Sequence, residues 1–143
     1  MTTQEFLALP SREQDALVAE HIFGFKTELF INCPDCGAKL NNSKTTKKIN
    51  PFYRMWCGQC SEYKYSPYKE YTTQIQDAWE VIENLQADDA CCFELKWYVG
   101  EFPWECIFRH HDLVNEHSEF KSHGPTAPLA ICIAALKAKG AIE

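Results

Sequence analysis

Along this chain the apolar positions switch from helical spacing to strict alternation and back, and the switches divide it before any motif is considered. In Leu9-Pro-Ser-Arg-Glu-Gln-Asp-Ala-Leu, Ser11 is placed to cap a helix, with Gln14 three residues on at the capping-box position. The helix is predicted to run to about Phe23 and to stop at Gly24, with His21 on a partly buried interface one turn beyond Leu17. A second helix opens after Tyr71-Thr-Thr-Gln: Ile75, Ala78, Trp79, Ile82 and Leu85 recur at three and four, which leaves Asp77, Glu80 and Glu83 for a solvated face.

Beyond Asp88-Asp89 the period changes to two. Phe93, Leu95, Trp97 and Val99 alternate with Glu94, Lys96 and Tyr98, the pattern of a half-buried strand. Gly100-Glu-Phe-Pro103 then reads as a hairpin link into a second strand. That strand places Trp104, Cys106, Phe108 and His110 on one face and Glu105, Ile107 and Arg109 on the other. The polar, His-rich stretch from His111 to Gly124 reads as a loop with at most one short strand. A last helix follows, capped by Thr126, with Pro128 in its first turn, a stripe of Leu129, Cys132, Ile133 and Leu136, and Gly140 as its stop. Ala130, Ala134, Ala135 and Ala138 would let it approach a sheet closely. Helix, insertion, helix, hairpin, helix is an α+β order in which an antiparallel sheet packs against helices.

The insertion carries the chemistry. Cys33-Pro-Asp-Cys36 and Cys57-Gly-Gln-Cys60 are separated by twenty residues, and two C-x2-C turns at that spacing read as the knuckles of a four-thiolate zinc ribbon, with Gly37 and Gly58 supplying permissive backbone. Disulfides, a redox pair or merely buried thiols are the alternatives. Met1-Thr-Thr-Gln-Glu has neither the basic nor the apolar stretch of a secretion signal, so a cytoplasmic location is expected and disulfides are disfavoured. Four protein ligands make a closed, structural site with no open position for catalysis. Cys91, Cys92, Cys106 and Cys132 are expected as packed thiols.

With 143 residues, 45 % of them apolar, the chain suits one sandwich domain over 1–143 with an inserted ribbon at 30–68, and no apolar run reaches the roughly eighteen residues of a membrane span. Charge separates the two parts. Cys33–Glu70 holds seven Lys or Arg against three acids, net +4, and the whole chain is −6, so the remainder carries −10. The polar stretch Asn41 to Asn50 reads as an exposed loop of this basic module. Lys44, Lys47, Lys48 and Arg54, beside Phe52, Tyr53, Tyr63, Tyr65 and Tyr68, combine phosphate attraction with stacking surfaces, although the acidic body opposes a long polyanion. His110, His111, His117 and His123 invite a second metal site, but their spacing matches no helix-borne pair. No phosphate loop, nucleophile–base pair or recognisable acid pair is present, so a non-enzymatic protein is expected.

Three ordered blocks, Ala8-Leu-Pro-Ser-Arg-Glu-Gln-Asp-Ala-Leu-Val-Ala-Glu, the helix from Tyr71 to Leu85, and Thr126-Ala-Pro-Leu-Ala-Ile-Cys-Ile-Ala-Ala-Leu, resemble the phage ABA sandwich domain. The resemblance implies an αβα sandwich and a viral accessory protein of the host cell cytoplasm, with no catalytic residues to carry over. It also implies a counter-defence role in which a host nucleotide-derived signal is sequestered. Trp97, Tyr98 or Trp104 would stack the base, and Arg54, Lys96 or Arg109 would neutralise phosphate. A nucleic-acid-binding or host-protein-binding adaptor is the alternative, and assembly with further copies of the chain stays open.

Overall fold

The computed structural model describes residues 1–25, 32–33, 35–39, 47–49, 52–66, 69–88, 91–111 and 117–143, with backbone alone at 47–49, 52–55, 63–66, 88, 91, 111 and 117. Helices α1 (Thr3–Ala8) and α2 (Ser11–Phe23) precede strands β1 (Lys47–Ile49), β2 (Phe52–Cys57) and β3 (Glu62–Ser66). Helix α3 (Ile75–Asp88), strands β4 (Cys91–Trp97), β5 (Trp104–His111) and β6 (His117–Gly124), and helix α4 (Ala127–Ala138) follow. The strands form two separate antiparallel sheets, β1-β2-β3 and β4-β5-β6.

The body is built around α4. Ala127, Pro128 and every residue from Ala130 to Leu136 are buried, so this helix has no solvated face; the sheet lies against it on one side and α2 and α3 on another. Small residues make the approach possible: a Cβ added at Gly124 of β6 would stand 3.0 Å from the Ala130 backbone nitrogen. Thr126 occupies the N-cap position as expected, but its side chain makes no capping hydrogen bond. From the sheet, Phe93, Leu95, Trp104, Cys106, Phe108 and Phe120 complete the core.

Several expectations are corrected. The capping box belongs to α1, where the Glu5 N–H donates to Thr2 Oγ1 (3.2 Å) and the Thr2 N–H donates to Glu5 Oε2 (2.7 Å). That helix buries Phe6 completely and went unpredicted, although Thr2-x-x-Glu5 is a legible start signal. Helix α2 instead starts after Pro10, and Gln14 turns inward so that its amide donates to the Phe6 carbonyl (3.0 Å). Gly24 stops α2 at φ 74°, as its position predicts, but His21 is exposed. On α3, Ala78, Val81, Ile82 and Leu85 are buried while Ile75 and Trp79 stand half-exposed, and Asp77 is buried, accepting the Glu70 N–H at 2.9 Å.

The largest correction concerns His111 to Gly124. Eight of its residues form β6, paired along the whole of β5 from Trp104↔Gly124 to His111↔His117. Its inward positions are Phe120, Ser122 and Gly124, too polar and too small to print an apolar alternation. Strand β5 thereby becomes central, and Glu105 and Ile107 on its outer face are buried as well as Cys106 and Phe108 on its inner face. Around Ile107 the outer face is a lattice of opposite charges. Arg109 bonds Glu94 and Glu119 (2.9 Å each), Lys96 meets Glu94 (2.9 Å), and Glu105 takes Lys121 and His123 (3.1 Å to His123).

Glu105 sets a pH dependence. Its bond from Lys121 holds its carboxyl below the ordinary value of 4.5 against the opposing effect of burial. A depressed folded value means the stabilisation is whole above 4.5 and is lost as pH falls through the folded pKa. Glu105→Gln should flatten the acid limb of the body's urea midpoint, followed from neutral pH downward, relative to wild type.

Candidate metal centre

In the ribbon, the first knuckle closes through the Cys33 N–H to the Ala38 carbonyl (2.7 Å) and the Gly37 N–H to the Cys33 carbonyl (2.9 Å), flanked by an isolated bridge between Asn32 and Lys39. The second is the turn between β2 and β3, where Cys57 pairs with Glu62 and the Cys60 N–H donates to Cys57 Sγ (3.4 Å). The turns bring Cys33 Sγ to 3.9 Å from Cys60 Sγ and Cys36 Sγ to 3.4 Å from Cys57 Sγ, with all four ligand atoms within 4.8 Å of one another. A tetrahedron of thiolates around a soft cation, at metal–sulfur bonds near 2.3 Å, has edges of about 3.8 Å. The donor set therefore fits a four-coordinate metal ion.

The thiols also show why a cation belongs there. The Cys60 N–H pulls the Cys57 thiol down to about 7, while the hydrogen bond with Cys36 pushes Cys60 up to about 12. Four sulfurs this close cannot all ionise unless a positive charge sits between them. Among the described residues the ribbon's buried cluster is Cys33 and Cys57, flanked by Cys36, Ala38 and Cys60.

Both knuckles need a left-handed residue just after their second cysteine. Gly37 supplies it at φ 73°, and in the second knuckle it is Ser61 at φ 53°, not Gly58 as the sequence suggested. The equivalent positions after Cys36 and Cys60 were the available signal. Gly37→Val should therefore cost the ribbon about 1–2 kcal/mol, read as weaker metal retention against a chelator, whereas Ser61→Gly should retain the metal at least as well as wild type.

The remaining candidate residues do not gather in one place. Arg109 and Lys96 are engaged in the charge lattice, Trp104 packs against the core, and Trp97 (61 % exposed) and Tyr98 (49 %) stand out at the β4–β5 hairpin, with the Tyr98 hydroxyl reaching Glu105 at 3.3 Å. Arg54 lies in β2, in the other sheet, and Lys47 and Lys48 lie in β1, so part of the predicted 41–50 loop is strand; Lys44 and Tyr68 fall outside the described residues. His110 packs edge-on against Phe120 on the inner face and His123 meets Glu105 on the outer face, so these two histidines do not converge. Cys106 and Cys132 are buried thiols as expected, but Cys92 is exposed.

Helices over an antiparallel three-stranded sheet, with a four-cysteine ribbon inserted between the second and third helices, define an α+β sandwich carrying a metal-ribbon module. The chain belongs to the phage ABA sandwich domain family, whose profile it matches over residues 16–136. It also resembles the crystal structure of a phage protein from Bacillus cereus ATCC 14579, at 17 % identity and TM-score 0.50, over 90 % of this chain and 91 % of that one; the likeness is one of fold. Among curated proteins none is detectably similar. Among the described residues, no helix is long and apolar enough to cross a membrane.

Proposed function

We propose that this is a phage-encoded, non-enzymatic binding protein whose zinc-held ribbon binds single-stranded nucleic acid. The observation that carries the reading is the register of the ribbon sheet. Lys47 pairs with Arg54 and Arg54 with Tyr65, which makes one cross-strand row. Because positions alternate between the faces of a sheet, Phe52, Trp56 and Tyr63 belong to the same face as that row. Cations for phosphate and aromatic surfaces for bases on one face are what strand binding without sequence readout requires. The metal we propose is zinc, since it accepts four thiolates in a tetrahedron and brings no redox chemistry, and its part would be to hold the strands in register.

The test is fluorescence anisotropy of a labelled oligothymidylate with the metal-loaded chain. Binding should weaken steeply with salt, and Lys47→Glu with Arg54→Glu should reduce affinity at least about tenfold. No binding, or binding flat in salt, would sink the reading. A second reading, sequestration of a host nucleotide-derived signal in a counter-defence role, is favoured by the exposed aromatic pair Trp97 and Tyr98 beside Lys96. It predicts a melting shift with cyclic or ADP-ribose-type nucleotides, recovered intact on denaturation, and loss of the shift in Trp97→Ala.

A further inference from the structure

The body sheet ends in β4 and β6, and among the described residues neither has a further strand on its outer side. The last helix packs close on the inner face of β6, with Gly124 against Ala130 and the Ser122 hydroxyl donating to the Ala130 carbonyl. Along β4 no strand among the described residues pairs with the outer side, and the flank is apolar: Trp79 of α3, 48 % exposed, rests edge-on against Phe93, and Trp97 is 61 % exposed. An edge strand of seven residues with half-open aromatic neighbours is a template for another strand.

The geometry points to a second copy of this chain as the occupant, joined β4 to β4 in antiparallel fashion about a two-fold axis through Leu95. Such an axis stands perpendicular to the sheet, so residues facing each other across the seam share a face and their numbers have an even sum. Three registers keep most of the seven-residue strand paired, those centred on Phe93, Glu94 and Leu95. Centring on Glu94 sets two carboxylates opposite each other, and centring on Phe93 sets each Glu94 against an uncharged Cys92. Centring on Leu95 places Glu94 against Lys96 twice on the outer face and Phe93 against Trp97 twice on the inner face. The strand is thus complementary to itself on both faces in one register; opposed carboxylates disfavour the Glu94-centred one, and the Phe93-centred one forms no ion pair within the strand. The two-fold also keeps both sets of helices on one side, which brings the exposed Trp79 of each copy toward the seam, and it yields a continuous six-stranded sheet.

The test uses the metal-loaded full chain in sedimentation equilibrium. Wild type should pass reversibly from one to two chains as concentration rises. Glu94→Lys makes an all-basic edge and Lys96→Glu an all-acidic one. Each variant alone should dimerise about tenfold or more weakly than wild type, while an equimolar mixture should form the heterodimer. In wild type, amide exchange over residues 91–97 should slow with concentration, a readout that needs no variant. A single-chain mass at all concentrations, or a dimer unaffected by both reversals with no change in exchange over 91–97, would overturn the proposal.

Discussion

Stripping the metal from the ribbon, with a chelator or by Cys33→Ser, should unfold the two knuckles and strands β1–β3 and leave the helix-and-sheet body folded. The asymmetry follows from what each part has for a core. Among the described residues the ribbon's buried cluster is its own cysteines, with Cys57 1 % exposed, so cation binding and folding are coupled. Structural zinc contributes about 10–16 kcal/mol in comparable small modules, more than a three-stranded sheet of this size can replace. The body keeps its core in the helices and β4–β6, and among the described residues it meets the ribbon through the ion pair of Lys39 with Glu13 at 2.9 Å. Hydrogen exchange with native mass spectrometry should show loss of one metal per chain together with loss of protection confined to the ribbon. Retained metal in Cys33→Ser, or collapse of the whole chain on chelation, would contradict this account.

In the body the largest loss should come from Phe108→Ala. Phe108 is fully buried on the central strand, opposite Phe93 and Phe120 in the register and 5.5 Å from the Phe93 ring. Truncation leaves a cavity walled by a sheet and a helix that cannot both move in, so the cost is about 3–5 kcal/mol, a fall of roughly 10–20 °C in melting temperature for a chain of this size. Val99→Ala, at a hairpin position 91 % exposed, should change stability by less than about 0.5 kcal/mol. Equal effects at the two positions would mean that the sheet does not face the helices as described.

Much of this architecture is legible in short stretches of sequence. Gly24 announces its helix end, Ala78, Ile82 and Leu85 announce a buried face, and two C-x2-C turns announce the metal centre, because each feature depends on residues within one or two turns of each other. The ligand-binding candidates were not legible in that way. Whether Arg109 is available depends on Glu94 and Glu119, and only strand pairing places those beside it.

By itself the sequence determined the four-thiolate cluster, the helices α2, α3 and α4, and the β4–β5 hairpin. Tertiary structure decided that polar β6 is a full strand, since β5 offers it a ladder and α4 accepts its small inward residues. It also decided that Asp15 is a buried acceptor, bonded by the N–H and hydroxyl of Thr72, 57 positions away (2.7 and 2.8 Å). The division has one physical cause. Hydrophobic period and cysteine spacing act locally along the chain, whereas a polar group's burial depends on a partner that only the assembled fold brings within hydrogen-bonding distance.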